Sequence, residues 1–174
     1  MQKNVEIEEA INSKYPEQVV LVTTCGKDGK PNVMAVGWIT VASSDPLMFI
    51  LGIDEEAHTF KLIKETRHFV IAFPHEGMSK ETLHAGSCHG NNRNKISEAG
   101  LKTQEAKLVK APLLADAVAN FECELVDIIK PGDCGVVIGK VIAAHLNKDS
   151  SLKRLYTVDK EHKLAGISPV CSSV

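Results

Sequence analysis

A hairpin across residues 24–46 (TCGKDGKPNVMAVGWITVASSDP) constrains the fold of this chain more than any other stretch. An apolar strand, residues 19–24, leads into a Gly-Lys-Asp-Gly-Lys-Pro turn, and residues 33–42 return as a second apolar strand. Asp28-Gly29 favours such a turn because glycine adopts positive φ without steric cost. The pattern therefore predicts an antiparallel sheet that begins with this hairpin.

Polar and aromatic side chains interrupt the returning strand at positions where a core strand does not need them. Asn32 lies where the chain enters the strand, Trp38 is the only tryptophan of the chain, and Ser43 and Ser44 precede an Asp-Pro corner. We interpret this hairpin as one that holds a ligand.

Four further segments carry strand patterns: residues 46–53, 68–73, 119–129 and 136–146. The third of them alternates apolar and polar residues, which is typical of a half-exposed antiparallel strand. Many short strands joined by turns, with helices only in some connections, predict a mainly β fold in the form of a closed or partly closed barrel. A parallel α/β fold is the weaker alternative because the helices do not alternate regularly with the strands.

Short helices are predicted in the connections, over residues 6–13, 55–65, 79–86 and 95–99, with Asp54 as the N-cap of the second. The polar connection at residues 75–94 is rich in glycine and asparagine. Long connections of this kind are often functional. We expect one domain across residues 1–174, with an N-terminal extension to about residue 15 and a loose tail from about residue 165.

Composition excludes several classes of protein. Twenty Lys and Arg against 22 Asp and Glu give a formal net charge of −2, which provides no basic surface for nucleic acid. No apolar run approaches the roughly 20 residues of a membrane helix, and the acidic N-terminus differs from a secretory signal. Five cysteines without a C-x-x-C pair favour reduced thiols. We expect a cytoplasmic protein without nucleic-acid or membrane partners.

Familiar sequence motifs give little support to a nucleotide-binding loop, a catalytic nucleophile or a metal site. Neither a G-x-G-x-x-G nor a G-x-x-x-x-G-K-[ST] phosphate loop is present, and neither is a G-x-S-x-G elbow. His84, Cys88 and His89 cluster in the sequence, but Gly86 interrupts their helix and no second cluster completes a ligand set. We therefore predict no metal site, and the neighbouring Cys88 and His89 are weak candidates for nucleophilic catalysis.

A phosphate-bearing ligand agrees better with the polar residues at strand ends and helix starts, which are Asn32, Ser43, Ser44, Thr59 and Lys95. Backbone N–H groups at helix starts, together with a lysine and hydroxyls, form good phosphate sites. Trp38 offers a planar face to a ring. The ordinary alternatives remain open: Thr59 in a helix N-terminus, Ser43 as a turn former and Lys95 as a solvated charge.

The ordered series PNVMAVGWITVASSDPL, HTFKLI, HFVIAFP, HGNNRNKISEAGL, ANFECELV and GDCGVVIGKV resembles the flavin reductase-like FMN-binding split-barrel family. It is most similar to the flavoredoxin branch of that family. The resemblance extends from about residue 19 to residue 144. It implies a Greek-key split β-barrel that forms a homodimer, with FMN near the subunit interface.

Carried over residue by residue, the resemblance places Asn32, Trp38, Thr59 and Lys95 at FMN-contacting positions. It also places Ala42, Ser43 and Ser44 along the flavin. Lys95 would neutralise the phosphate, Asn32 and the backbone around Ser43 would meet the polar edge of the isoalloxazine, and Trp38 would help to shape the pocket.

Two departures from the family pattern concern the approach of a reductant. The family's Gly-Asp-His turn is Gly132-Asp133-Cys134 here, and the family's Ser-Gly is His89-Gly90. Cys134 and His89 are therefore possible modulators, and no side chain is predicted to act as an acid or base.

The resemblance implies an FMN-dependent oxidoreductase in which NAD(P)H or a protein donor reduces FMN, and FMN passes electrons to free flavin, ferric complexes or a partner protein. A flavoredoxin-type electron carrier without NAD(P)H turnover is the first alternative. A split-barrel domain that binds FMN or another ligand without catalysis is the second.

Overall fold

The computed structural model describes residues 1–88 and 93–168. Its strands in chain order are β1 (Glu17–Gln18), β2 (Val20–Cys25), β3 (Pro31–Val36), β4 (Ile39–Ser44), β5 (Leu47–Ile53), β6 (His68–Phe73), β7 (Thr103–Gln104), β8 (Leu113–Leu114), β9 (Ala119–Ile129), β10 (Gly135–Leu146), β11 (Arg154–Thr157) and β12 (Leu164–Ile167). The α-helices are α1 (Ile7–Ala10), α2 (His58–Thr66), α3 (Ser79–Ser87) and α4 (Lys95–Glu98), with short 3₁₀ turns at Ile11–Lys14 and Glu76–Met78.

A seven-stranded antiparallel sheet in the order β3-β2-β6-β9-β10-β5-β4 forms the body of the fold. Its two end strands, β3 and β4, follow each other in the chain and are joined only by Gly37 and Trp38. The predicted mainly β fold with short helices is confirmed. β6 and β9 have the predicted bounds, and Gly29 adopts the positive φ (80°) that the first hairpin turn requires.

Apolar side chains pack on both sides of this sheet. The larger cluster lies on one face and includes Phe49, Leu51, Phe60, Phe69 and Val137. A second cluster joins the other face of β2 and β3 to α3 and α4 through Leu21, Val33, Ala85 and Ile96. The helices therefore fix the position of the chain segments that lie beside β3.

Two predicted boundaries were wrong. The strand predicted across residues 33–42 is divided at Gly37 and Trp38, because the chain changes there from one end of the sheet to the other. The second helix begins at His58 rather than near residue 55, and Ala57 is its N-cap. Asp54 instead accepts a hydrogen bond from the N–H of Glu56 in the preceding turn (2.9 Å).

The C-terminal residues form more structure than their weak pattern indicates. β11 pairs with both β1 and β12 in a small three-stranded sheet. Residues 165–167, which begin the predicted loose tail, therefore lie in a paired strand. Residues 169–174 lie outside the described residues. In the described parts of the chain, none of the helices has the length and apolar character needed to span a bilayer.

Candidate functional site

A polar cleft of about 670 Å³ lies between the β2–β3 turn, the first turn of α2 and the residues that precede α4. Its walls include Lys27, Lys30, Asn32, His58, Arg93 and Asn94. Three cationic side chains line it against two carboxylates, Asp28 and Glu65. Lys27 pairs with Glu65 (3.4 Å) and Lys30 with Asp28 (3.2 Å), so Arg93 is the cation in excess among the described residues of the cleft wall. This excess favours a ligand group of negative charge near Arg93.

Asn32 is buried at the wall of the polar cleft and is only partly satisfied. Its amide Nδ2 donates to Thr24 Oγ1 (3.2 Å) and Thr59 Oγ1 (2.9 Å), while its Oδ1 is buried without a hydrogen-bond partner. An unsatisfied buried acceptor costs about 1–3 kcal/mol. A ligand that donates a hydroxyl or N–H to Oδ1 would remove that cost.

The N-terminus of α2 forms another wall of the polar cleft, through His58. The N-cap residue, Ala57, has no side-chain cap hydrogen bond, so the first N–H groups of the helix lack the usual side-chain acceptor. Together with the positive end of the helix dipole, such groups bind phosphate.

Arg93 and Asn94 close the cleft from the opposite side. The Arg93 guanidinium contacts Glu98 (2.8 Å to Oε2), which raises the pKa of Arg93 further, and lies 3.6 Å from Cys88 Sγ. Asn94 caps α4 by accepting a hydrogen bond from the N–H of Ser97 (3.1 Å). Arg93 is thus a permanent cation at the open end of the cleft, about half exposed at 52%.

A second, largely apolar cleft of about 510 Å³ lies at the other end of β3. Its walls come from β3 (Met34, Val36), the Gly37-Trp38 corner, α3 (Leu83, Gly86) and β12 (Leu164). The Trp38 side chain is 56% exposed. It covers Gly52 so closely that a Cβ there would lie 3.0 Å from the indole ring. This corner therefore presents a fixed aromatic surface to the cleft.

Thr82 gives the apolar cleft one unsatisfied polar group. The residue lies in α3, is 2% exposed and lines the cleft, and its Oγ1 has no hydrogen-bond partner. A planar ligand with one polar edge would satisfy that hydroxyl while its apolar surface covers the walls.

The two clefts follow one another along the edge of β3 that has no partner in the seven-stranded sheet. Asn32 marks the polar end and Val36 the apolar end, and four residues of extended chain span about 13 Å. The arrangement suits an elongated ligand with a flat ring at Trp38, a hydrogen-bonding middle and an anionic group near Arg93.

Lys95 is placed differently from the other predicted contacts. It is 3% exposed, and its ammonium donates to the carbonyls of Ala85 (3.1 Å) and Cys88 (3.0 Å) at the C-terminal end of α3. Desolvation lowers the pKa of Lys95. The structure shows a cation that holds the last turn of α3, so a direct phosphate contact remains a prediction.

Asn32 and Thr59 are brought together as expected, but the β4 residues lie elsewhere. Ala42 is the extra residue of a bulge opposite β5, and Ala42 and Ser44 are exposed, while Ser43 is half-buried. None of the three lines either cleft within the described residues. Their role along the flavin stays a prediction.

Cys134 is half-buried in the turn before β10. Desolvation, together with Asp133 and Asp54, raises the pKa of its thiol, so it is a neutral thiol at physiological pH. His89, the other predicted modulator, lies outside the described residues. No group of three or more potential metal-binding side chains occurs among residues 1–88 and 93–168.

Sequence reasoning missed several residues of the two clefts, namely Arg93, His58, Thr82 and His162. Two of them had a signal in the sequence: Arg93 lies in the polar connection at residues 75–94, and His58 directly precedes the predicted Thr59. Thr82 and His162 gave no signal, because only the packing of α3 and of the β11–β12 turn brings them to β3.

Comparison with known proteins identifies the family of this chain. Residues 12–165 match the flavin reductase like domain. The chain belongs to this family. An uncharacterised protein of Pyrococcus abyssi is 37% identical over 129 residues, which cover 74% of this chain and 73% of that protein. A flavin reductase of Pseudomonas putida is 25% identical over 150 residues, covering 84% of this chain and 83% of the relative.

The flavin reductase-like fold is equally clear from solved structures. Flavoredoxin of Desulfovibrio vulgaris (Miyazaki F) superimposes with a TM-score of 0.84, with 99% of both chains covered at 21% identity. Together with a split-barrel flavin reductase of Shewanella frigidimarina, which superimposes with a TM-score of 0.83, this confirms the split-barrel fold. A second relative, of Kitasatospora aureofaciens and 26% identical over 136 residues, is likewise named as a flavin reductase.

Proposed function

We propose that this protein is an FMN-dependent oxidoreductase. The observation that carries the proposal is the pair of clefts along the free edge of β3, one polar with Arg93 as its unmatched cation and one apolar with an indole in its wall. FMN has the matching sequence of parts: a planar ring, a polyhydroxyl chain and a terminal phosphate. Membership of the flavin reductase-like family supports a flavin in preference to other phosphorylated rings.

Each part of FMN would have a partner among the described residues. The N-terminus of α2 and Arg93 would hold the phosphate, and Asn32 Oδ1 would accept a hydrogen bond from a hydroxyl or N–H of the ligand. Trp38 would hold the ring, and Thr82 would meet its polar edge.

The protein's own groups bind, orient and shield the ring rather than transfer protons. When bound, the flavin supplies hydride and single-electron chemistry. Trp38, Leu83 and Leu164 give the cleft apolar walls. Among the described residues of these walls, Lys14 and Glu17 are the only lysine and carboxylate, and they bind each other at 2.8 Å. Their charges therefore offset each other, which suits the face of a planar ring.

NAD(P)H is the proposed reductant, and free flavin, ferric complexes or a partner protein are the acceptors. The naming of relatives as flavin reductases supports this choice. A flavoredoxin-type carrier without NAD(P)H turnover is the second candidate. Cys134 favours that carrier, because a thiol of raised pKa stands where the resemblance places an imidazole.

Anaerobic reduction of the FMN-loaded protein separates these functions. We expect NADH or NADPH to bleach the flavin absorbance rapidly, because a nicotinamide is also a planar ring that fits beside the apolar cleft. Bleaching by dithionite or a reduced ferredoxin, but by neither nicotinamide, would assign the electron carrier. A protein that retains no FMN would contradict both and leave a domain that binds another ligand.

A homodimer completes the proposal. Val41 and Ala42 on the end strand β4 are exposed, as is Trp38 beside them, and a second copy of the chain would cover this apolar surface. Sedimentation of the FMN-loaded protein as a monomer would remove this part of the proposal.

A further inference from the structure

We infer that His162 forms a hydrogen bond with the ring that the apolar cleft binds. The inference rests on the proposed function, since it names a further residue of the same site. His162 lies in the turn between β11 and β12 and contributes to the wall of the apolar cleft together with Trp38. Its side chain therefore reaches the ring site from the C-terminal part of the chain.

The turn that carries His162 is held by a local set of hydrogen bonds. Asp159 Oδ1 accepts from the N–H groups of Glu161 (3.1 Å) and Lys163 (3.0 Å), and the carbonyl of Asp159 accepts from the N–H of His162 (3.2 Å). The N–H of Val158 donates to the carbonyl of Lys163 at 2.8 Å. The backbone at His162 is thus fixed relative to the cleft.

The backbone of His162 is left-handed, with a φ of +60°. Asparagine, aspartate and histidine adopt this conformation more often than other non-glycine residues. Asparagine can therefore replace His162 without new backbone strain.

Besides Thr82, the imidazole of His162 is a polar group of the apolar cleft that a ligand can meet. Lys14 and Glu17 bind each other, Ser87 Oγ donates to the carbonyl of His84 (3.3 Å), and Thr157 is buried. No hydrogen bond to either His162 ring nitrogen occurs among the described residues, and His162 is exposed. An imidazole both donates and accepts, so it can pair with a carbonyl or a ring nitrogen at the polar edge of a flavin.

Substitution of His162 by asparagine tests the inference. Asparagine suits the left-handed backbone, so thermal stability should stay equal or rise slightly while the imidazole is removed. We expect the Kd for FMN, measured by quenching of flavin fluorescence, to rise about tenfold with the loss of one hydrogen bond in an apolar site. Lys160→Ala, on the same turn but not part of the cleft wall, should leave the Kd unchanged.

A second readout follows the imidazole directly. The ¹H NMR signal of the His162 ring, assigned by its loss in H162N, should shift when FMN is added to the wild-type protein. Equal FMN affinities of wild type and H162N with an unmoved His162 signal would overturn the inference and leave the proposed function intact. A wild-type protein that does not bind FMN would overturn both.

Discussion

Replacing Glu122 with glutamine is expected to lower the free energy of unfolding by about 3 kcal/mol or more. Glu122 lies in the middle of β9 and is 0% exposed. Its carboxylate accepts hydrogen bonds from the N–H groups of Lys107 (2.8 Å), Leu108 (2.7 Å) and Val109 (3.0 Å) and from His145 Nε2 (2.6 Å). A glutamine side chain accepts hydrogen bonds only on its amide oxygen, so the donors that face its NH2 group lose their acceptor.

Denaturant unfolding of E122Q against the wild type measures this loss. Glu124→Gln is the matched control, because that side chain is exposed two positions along the same strand, and its effect should stay within about 0.5 kcal/mol. A loss below about 1 kcal/mol in E122Q would show that the carboxylate is not what holds residues 107–109 on the sheet.

The same carboxylate predicts a direction for acid sensitivity. Burial raises the pKa of Glu122, but the hydrogen bonds from His145 and from the three backbone N–H groups outweigh it, so the net pKa lies below the ordinary value of 4.5. The folded state therefore binds this proton less readily than the unfolded chain. The ionised Glu122 carboxylate therefore contributes its full stabilisation above about pH 5, and this contribution is lost as the pH falls through the lowered pKa. The unfolding free energy of E122Q should lack this part of the pH dependence.

Replacing Trp38 with alanine is expected to weaken FMN binding by about one to two orders of magnitude. Stacking of a planar ring on an aromatic side chain contributes roughly 1–3 kcal/mol. Because Trp38 is 56% exposed, its removal should change the stability of the fold far less than it changes the affinity. The Kd from flavin fluorescence quenching and the thermal midpoint, measured on the same samples, separate the two effects.

Two variants sharpen the Trp38 experiment. Trp38→Phe retains an aromatic face and should recover most of the affinity, whereas Leu108→Ala removes an exposed apolar side chain outside both clefts and should have no effect. Unchanged FMN affinity in W38A would place the ring elsewhere, for example against β4.

Local patterns predicted the strands well, because their signals lie within a few residues. The apolar runs and turn residues gave β6 and β9 with correct bounds, and Asp28-Gly29 gave the hairpin turn. The division between β3 and β4 was not predictable from residues 33–42, because their apolar pattern continues across Gly37. Only closure of the sheet, a long-range property, requires the chain to bend there.

The candidate site was predictable only in part for the same reason. Asn32 and Thr59 were expected to act together, and the structure joins them by a hydrogen bond of 2.9 Å. The sequence predicted Lys95 as a cationic contact to phosphate, but its ammonium binds carbonyls at the end of α3 instead of lying open in a cleft. Its burial depends on how α3 and α4 pack on β3, which the spacing of lysine and glycine does not encode.

Comparison of FMN with riboflavin is the most direct test of a site in which a phosphate lies at the α2 N-terminus and Arg93 while the ring lies at Trp38. The two ligands share the ring and the hydroxyl chain and differ only in the phosphate. We predict that the wild-type protein binds FMN about a hundredfold or more tightly than riboflavin, and that Arg93→Gln removes a large part of the difference. Equal affinities for FMN and riboflavin would contradict the account.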